Sequence, residues 1–198
     1  MKTPRLLLSR LAFSLIELLV VISIIAILAS LIFTGTTGAM LSARKVQDRN
    51  DMSQIINAIQ LFYTEYGKYP IDSTITSDSQ AVFGTGGTPN STIINVLRCV
   101  ASGTTQNPRM IQFIQPKVQD VPTTVATKAC VNKSSGNWYD PWGTQYIIFI
   151  DADYAGDINT TAVSGSTAQV GVGVASVGYA SVKNPGAPDK TNYLLSWQ

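Results

Sequence analysis

The sequence predicts an α+β fold: one long amino-terminal helix packed on a small carboxyl-terminal antiparallel β-sheet domain. Three observations predict it. Phe13 to Phe33 (FSLIELLVVISIIAILASLIF) is an almost unbroken apolar run. Further on, Met52, Ile55, Ile56, Ile59, Phe62, Tyr63 and Tyr66 recur at helical spacing to give one apolar face, and Gly67 with Pro70 supplies a stop. The carboxyl-terminal half then offers strand-like stretches: Gln145 to Asp151, and Val170, Val172 and Val174 alternating with glycines, before Tyr193 to Trp197 close the chain.

Residues 1–12 hold Lys2, Arg5 and Arg10 and no acid. The 21 residues after them reach roughly 31 Å as a helix, the thickness of a hydrocarbon core, and so read as a single membrane span. The basic leader stays cytoplasmic by the positive-inside bias, which sends everything after the span outward. Glu17 is the one charge in the span. An ionised carboxylate at that depth costs at least about 2 to 3 kcal/mol, so it needs a partner or a proton. Cutting the chain between Ala12 and Phe13 would free an ammonium group on Phe13, four residues from Glu17. The first turn of one helix does not readily bring Glu17 back to its own amino group, whereas a neighbour shifted along the axis can present its amine. The pairing therefore favours staggered assembly. A plain signal anchor, or a signal peptide cut after Ala29 at Ile27-Leu28-Ala29, are the alternatives, and neither accounts for Glu17.

Thr34-Gly35-Thr36-Thr37-Gly38 is poor in helix formers, each Gly costing up to about 1 kcal/mol against Ala, and is the expected weak point of the helix. Arg44 and Asp48 stand at i,i+4 spacing for a pair. A continuous helix from Phe13 to Tyr66 would reach roughly 80 Å. Residues 71–137 are rich in Ser, Thr, Gly, Asn and Pro yet contain the apolar runs Ile93 to Val100 and Met110 to Ile114, so they read as a structured insertion. Cys99 and Cys130 lie beyond the span. In an oxidising compartment they read most simply as one disulfide, worth roughly 3 to 4 kcal/mol; two unpaired buried thiols are the other reading. Trp138-Tyr139-Asp140-Pro141-Trp142-Gly143 is a turn signature.

Several function classes are excluded or weakened by composition. Lys and Arg total 14 against 12 for Asp and Glu, which is no basic field for nucleic acid. Histidine is absent, removing the commonest general base and catalytic zinc ligand. A membrane-tethered enzyme or binding module would have to rely on an acid pair or a Ser-Lys arrangement, with Asp151, Asp153 and Asp157 as its candidates. Asp151 to Asp157 places acids at positions one and three and Gly156 at six, as calcium loops do, but Ala155 stands at five and no acid at twelve. A hydrated acidic turn fits it better.

The basic leader, the small Ala12 and Phe-Ser-Leu-Ile-Glu-Leu-Leu-Val-Val-Ile resemble the processing site of type IV prepilins. The resemblance implies that a prepilin peptidase cuts between Ala12 and Phe13 and methylates the Phe13 amine, and that Glu17 supports methylation and docking. The family's usual residue before the cut is Gly, where this chain has Ala12. The segments Tyr66-Gly67-Lys68-Tyr69-Pro70, Asp140-Pro141-Trp142-Gly143, Ser176-Val177-Gly178 and Ser196-Trp197 resemble landmarks of major pseudopilins of the type II secretion system. The resemblance implies a structural subunit of a homo-oligomeric filament and no enzyme. Its partners would be other pseudopilins, membrane lipid, and an inner-membrane assembly platform with its ATPase; its globular part would be periplasmic. A surface type IV pilus subunit for adhesion, motility or DNA uptake shares the leader and helix. The implied organisation is a cleaved leader 1–12, a membrane half of the helix 13–33, an extracytoplasmic half 34–69, and a globular head 70–198. Major pseudopilins commonly bind calcium in a loop near the carboxyl terminus, but the comparable stretch here, Tyr179 to Thr191, holds only Asp189 as an acid, so no cofactor is expected.

Overall fold

The computed structural model describes residues 14–85, 87–100, 105–120, 129–161, 163–183 and 190–197, without the side chains of residues 31–35, 181 and 182. The chain divides into two compact units, Met1–Ala43 and Arg44–Gln198. Helix α1 runs from Leu15 to Tyr66, unbroken through Thr34–Gly38. It ends where the sequence places its stop: Gly67 adopts φ 67° and its amide donates to the Tyr63 carbonyl at 2.8 Å, a left-handed cap that a residue with a Cβ rarely adopts.

Within the second unit, Met52, Ile55, Ala58, Ile59 and Phe62 of α1 are buried in the main core. They pack with α2 (Ser91–Leu97) and the inner face of a four-stranded sheet of order β1-β5-β8-β9. Those strands are β1 (Val82–Phe83), β5 (Ile147–Ile150), β8 (Val172–Ser176) and β9 (Leu194–Leu195), every pairing antiparallel. This is the α+β fold that the sequence predicts. The central pair β5 and β8 is buried on both faces, because a second cluster formed by Phe149, Ile147, Ile158, Val163 and Ala175 covers the far side, with Trp197 edge-on to Phe149 at 5.8 Å.

The described part of the insertion gathers around α2. Beside it stands a three-stranded sheet of β2 (Val118–Gln119), β3 (Cys130–Asn132) and β4 (Trp138–Tyr139), in which β2 and β3 are parallel. Two short strands, β6 (Ile158–Asn159) and β7 (Thr167–Ala168), form a separate hairpin, and α3 (Gly178–Lys183) comes after β8.

Two expectations fail against this fold. Arg44 and Asp48 do not pair: Asp48 is fully buried while Arg44 is exposed. The reason is register, since residue 48 stands one turn before Met52 on the same buried stripe as Ile55, Ile59 and Phe62. The expected Cys99–Cys130 bridge is also absent. Cys99 sits at φ 57° just past α2, Cys130 is buried on β3, and no disulfide joins the two. Hydrogen bonds hold the insertion to itself instead, the Phe113 amide donating to Leu97 and the Val131 amide to Lys117, both carbonyls.

Candidate functional site

At the start of α1 every residue from Ser14 to Ser30 is exposed. Leu15, Ile16, Leu18 and Leu19 are 86%, 69%, 54% and 61% accessible, so the segment is apolar on all sides with no face covered. Such a helix requires a non-aqueous surrounding, lipid or other helices. Among the described residues no helix is long and apolar enough to cross a membrane; Phe13 and the side chains of 31–35, which include the rest of the apolar run, lie outside them.

Glu17 is placed by a local device that sequence reasoning missed. The Ser14 amide donates to Glu17 Oε2 at 2.9 Å, the return half of a capping box Ser14-Leu15-Ile16-Glu17, which leaves one fewer orphan donor at the helix start. The signal was the S-x-x-E spacing just before an apolar run. The carboxylate thus does reach back along its own helix, to the residue next to Phe13. Ile16, Val20 and Val21 line a shallow groove with it. Ala12 and Phe13, the expected cleavage pair, lie outside the described residues.

Residues 8–33 match the prokaryotic N-terminal methylation motif. That motif is the signature of type IV prepilins and pseudopilins. It implies processing by prepilin peptidase, membrane anchoring and assembly into a filament. No curated protein and no solved structure matches the chain.

Beyond the motif, the landmarks near the carboxyl terminus turn out to be joined by one side chain. Asp140 is fully buried. Its Oδ1 accepts from the Trp142 and Thr144 amides, each at 2.9 Å, and its Oδ2 from the Ser176 hydroxyl at 2.9 Å, the Gly178 amide at 3.1 Å and the Thr144 hydroxyl. One carboxylate therefore fixes the Asp-Pro-Trp-Gly turn to the Ser-Val-Gly segment. A Cβ on Gly178 would strike that carboxylate, which accounts for glycine there. These residues have a structural duty.

The acids of the 151–157 loop are regrouped. Asp151 and Asp153 lie together with Asp78, their oxygens within 4.8 Å of one another, and Asp157 is not part of the group. Asp151 accepts from the Ala155 and Gly156 amides at 3.1 and 2.9 Å, Asp153 from Ala155 at 3.0 Å, and Asp78 from Ala152 at 2.8 Å. Each acid thus holds the loop backbone. Burial raises the Asp78 carboxyl above its ordinary value, opposed by the Ala152 amide. Asp78 was not visible to sequence reasoning because it sits 73 positions before Asp151. Asp189 lies outside the described residues.

Proposed function

We propose that the chain is a structural subunit of a type II secretion filament, a pseudopilin anchored in the inner membrane by a single span from Phe13 to Phe33, with its globular part periplasmic. The observation that supports this reading is a lone carboxylate, Glu17, on a helix start that is otherwise apolar on every side and carries the methylation motif. A carboxylate accepts more than one hydrogen bond, so Glu17 can retain the Ser14 amide and also receive the Phe13 ammonium of a neighbouring subunit. Cohesion then comes from packing of the apolar segments, with that ion pair setting the stagger. The chain acts by assembling and needs no catalytic residue. Other pseudopilins, the assembly platform and its ATPase are the partners, and export of folded proteins is the output.

Glu17→Ala tests the docking step. The variant should insert into the membrane and be cleaved, yet enter fibres at least about tenfold less than wild type, the loss expected for a pairing energy above about 1.4 kcal/mol. Normal fibre yield from Glu17→Ala would remove the docking argument. Deleting the gene should abolish secretion of folded cargo and leave surface pili intact; the opposite pattern would assign the chain to a surface pilus.

A further inference from the structure

Helix α1 puts an acid where its pattern calls for an apolar residue. Asp48 is fully buried on the stripe of Met52, Ile55, Ile59 and Phe62. Neither of its carboxylate oxygens makes a well-formed hydrogen bond, although the Tyr146 and Ser176 hydroxyls approach it; among the described residues, the one other buried side-chain atom without such a bond is Gln145 Oε1. An ionised carboxylate in such a place is strongly disfavoured.

The groups facing it add negative charge. Asp51 stands one turn further along α1, Asp140 comes from the turn after β4, and Tyr146 leads into β5, with the Ser176 hydroxyl at the end of β8. The Tyr146 hydroxyl reaches Asp51 Oδ2 at 3.5 Å. Asp140 is saturated with donors. Among the described residues no cation answers. The only ion pair there is Arg109 with Glu65; Arg44 is exposed, and the Lys45 ammonium lies over the Tyr179 ring of α3, 4.0 Å from its centroid.

We propose that Asp48 is a buried proton-binding site, backed by Asp51 and Tyr146, which holds the Arg44–Met52 stretch of α1 against β5 and β8 when protonated and loosens it when ionised. A proton fits better than a metal ion, because calcium takes six to eight oxygens, whereas the Asp140 oxygens are occupied and the Tyr146 and Ser176 hydroxyls can accept from a neutral carboxyl. Burial pushes Asp48 up to about 7, with Tyr146 opposing and Asp140 adding to the rise, and burial pushes Asp51 up to about 6. Both lie above the unfolded carboxyl value of about 4. The native state thus holds protons that the unfolded chain has released. The resulting stability is complete below about pH 4 and is lost as pH rises through about 6 to 7.

The test uses the full chain in detergent, measuring Tm from about pH 4.5 to 8.5 together with an NMR titration of the Asp48 carboxyl carbon. Wild type should lose thermal stability as pH rises, and the Asp48 resonance should titrate near 7. Asp48→Asn, a neutral stand-in for the protonated acid, should keep the low-pH Tm and be flat above about pH 6, leaving the shallower fall between about 4 and 6 that Asp51 contributes. A flat wild-type profile, or an Asp48 midpoint below about 5, would overturn the proposal. So would a calcium-induced rise in Tm at high pH that vanishes in Asp48→Asn, which would make the site a metal site. Should Asp48→Asn fail to fold, the wild-type resonance still decides.

Discussion

Asn90 is fully buried, and its side chain is one of the principal ties between the insertion and the sheets. Its Nδ2 donates to the Trp138 and Tyr146 carbonyls at 2.8 and 2.9 Å, and its Oδ1 accepts from the Trp138 amide at 2.9 Å. Asn90→Ala strands the Trp138 amide and the Tyr146 carbonyl in the core, while the Trp138 carbonyl keeps the Tyr146 amide. Urea unfolding should show a loss on the order of 3 kcal/mol, because each orphaned buried group costs about 1 to 3 kcal/mol in part relieved by water; a loss under about 0.5 kcal/mol would mean the staple is idle. Such residues are hard to read in sequence. Asn90 lies in a tract of Ser, Thr, Asn and Pro, where any single Asn looks like a turn residue, and its partners are 48 and 56 positions away. Asp48 misled for the opposite reason. Its i,i+4 spacing from Arg44 has a ready surface meaning, and only the phase of the stripe running to Phe62 shows that it faces inward. Glu17 stood out from the start, because a charge inside an apolar run contradicts its surroundings.

At the scale of elements, legibility tracked length. The helix was readable because its apolar face repeats over several turns and ends in a glycine cap, and β5 because Gln145 to Asp151 forms a compact apolar run. The run Ile93 to Val100 marked order without revealing its type, which proved to be α2. Strands of two residues, such as β1, β4 and β9, are too short to display a period of two. Their places are set by partners on either side. The helix is continuous from 34 to 38 despite two glycines. A Cβ on Gly38 would meet nothing within 4 Å, so no close contact among the described residues requires glycine there. We expect this stretch to open more readily than the buried turns from 52 to 62. Gly38→Ala should slow hydrogen exchange of the neighbouring amides by roughly fivefold, the equivalent of about 1 kcal/mol of helix propensity. Unchanged exchange in Gly38→Ala would show that the stretch is no weak point.

For the whole molecule, two parts obey different solvents. The Arg44–Gln198 unit buries apolar residues on both faces of a sheet. The segment from Ser14 to Ser30 leaves every side chain uncovered and calls for lipid or for copies of itself. The apolar run that holds residues 14–30 was legible in the sequence, as was the motif around Glu17. The way the Asp140 carboxylate unites two landmarks 36 positions apart was not, because it depends on the register of strands that only the folded sheet brings together. The filament assembly proposed above depends on the apolar helix beginning at a free amine. The most direct measurement is the mass and amino-terminal sequence of the protein extracted from its native membrane. A processed subunit starts at Phe13, with one added methyl group on its amine, and that is the expected result. A chain starting at Met1 or at Ser30 would contradict it.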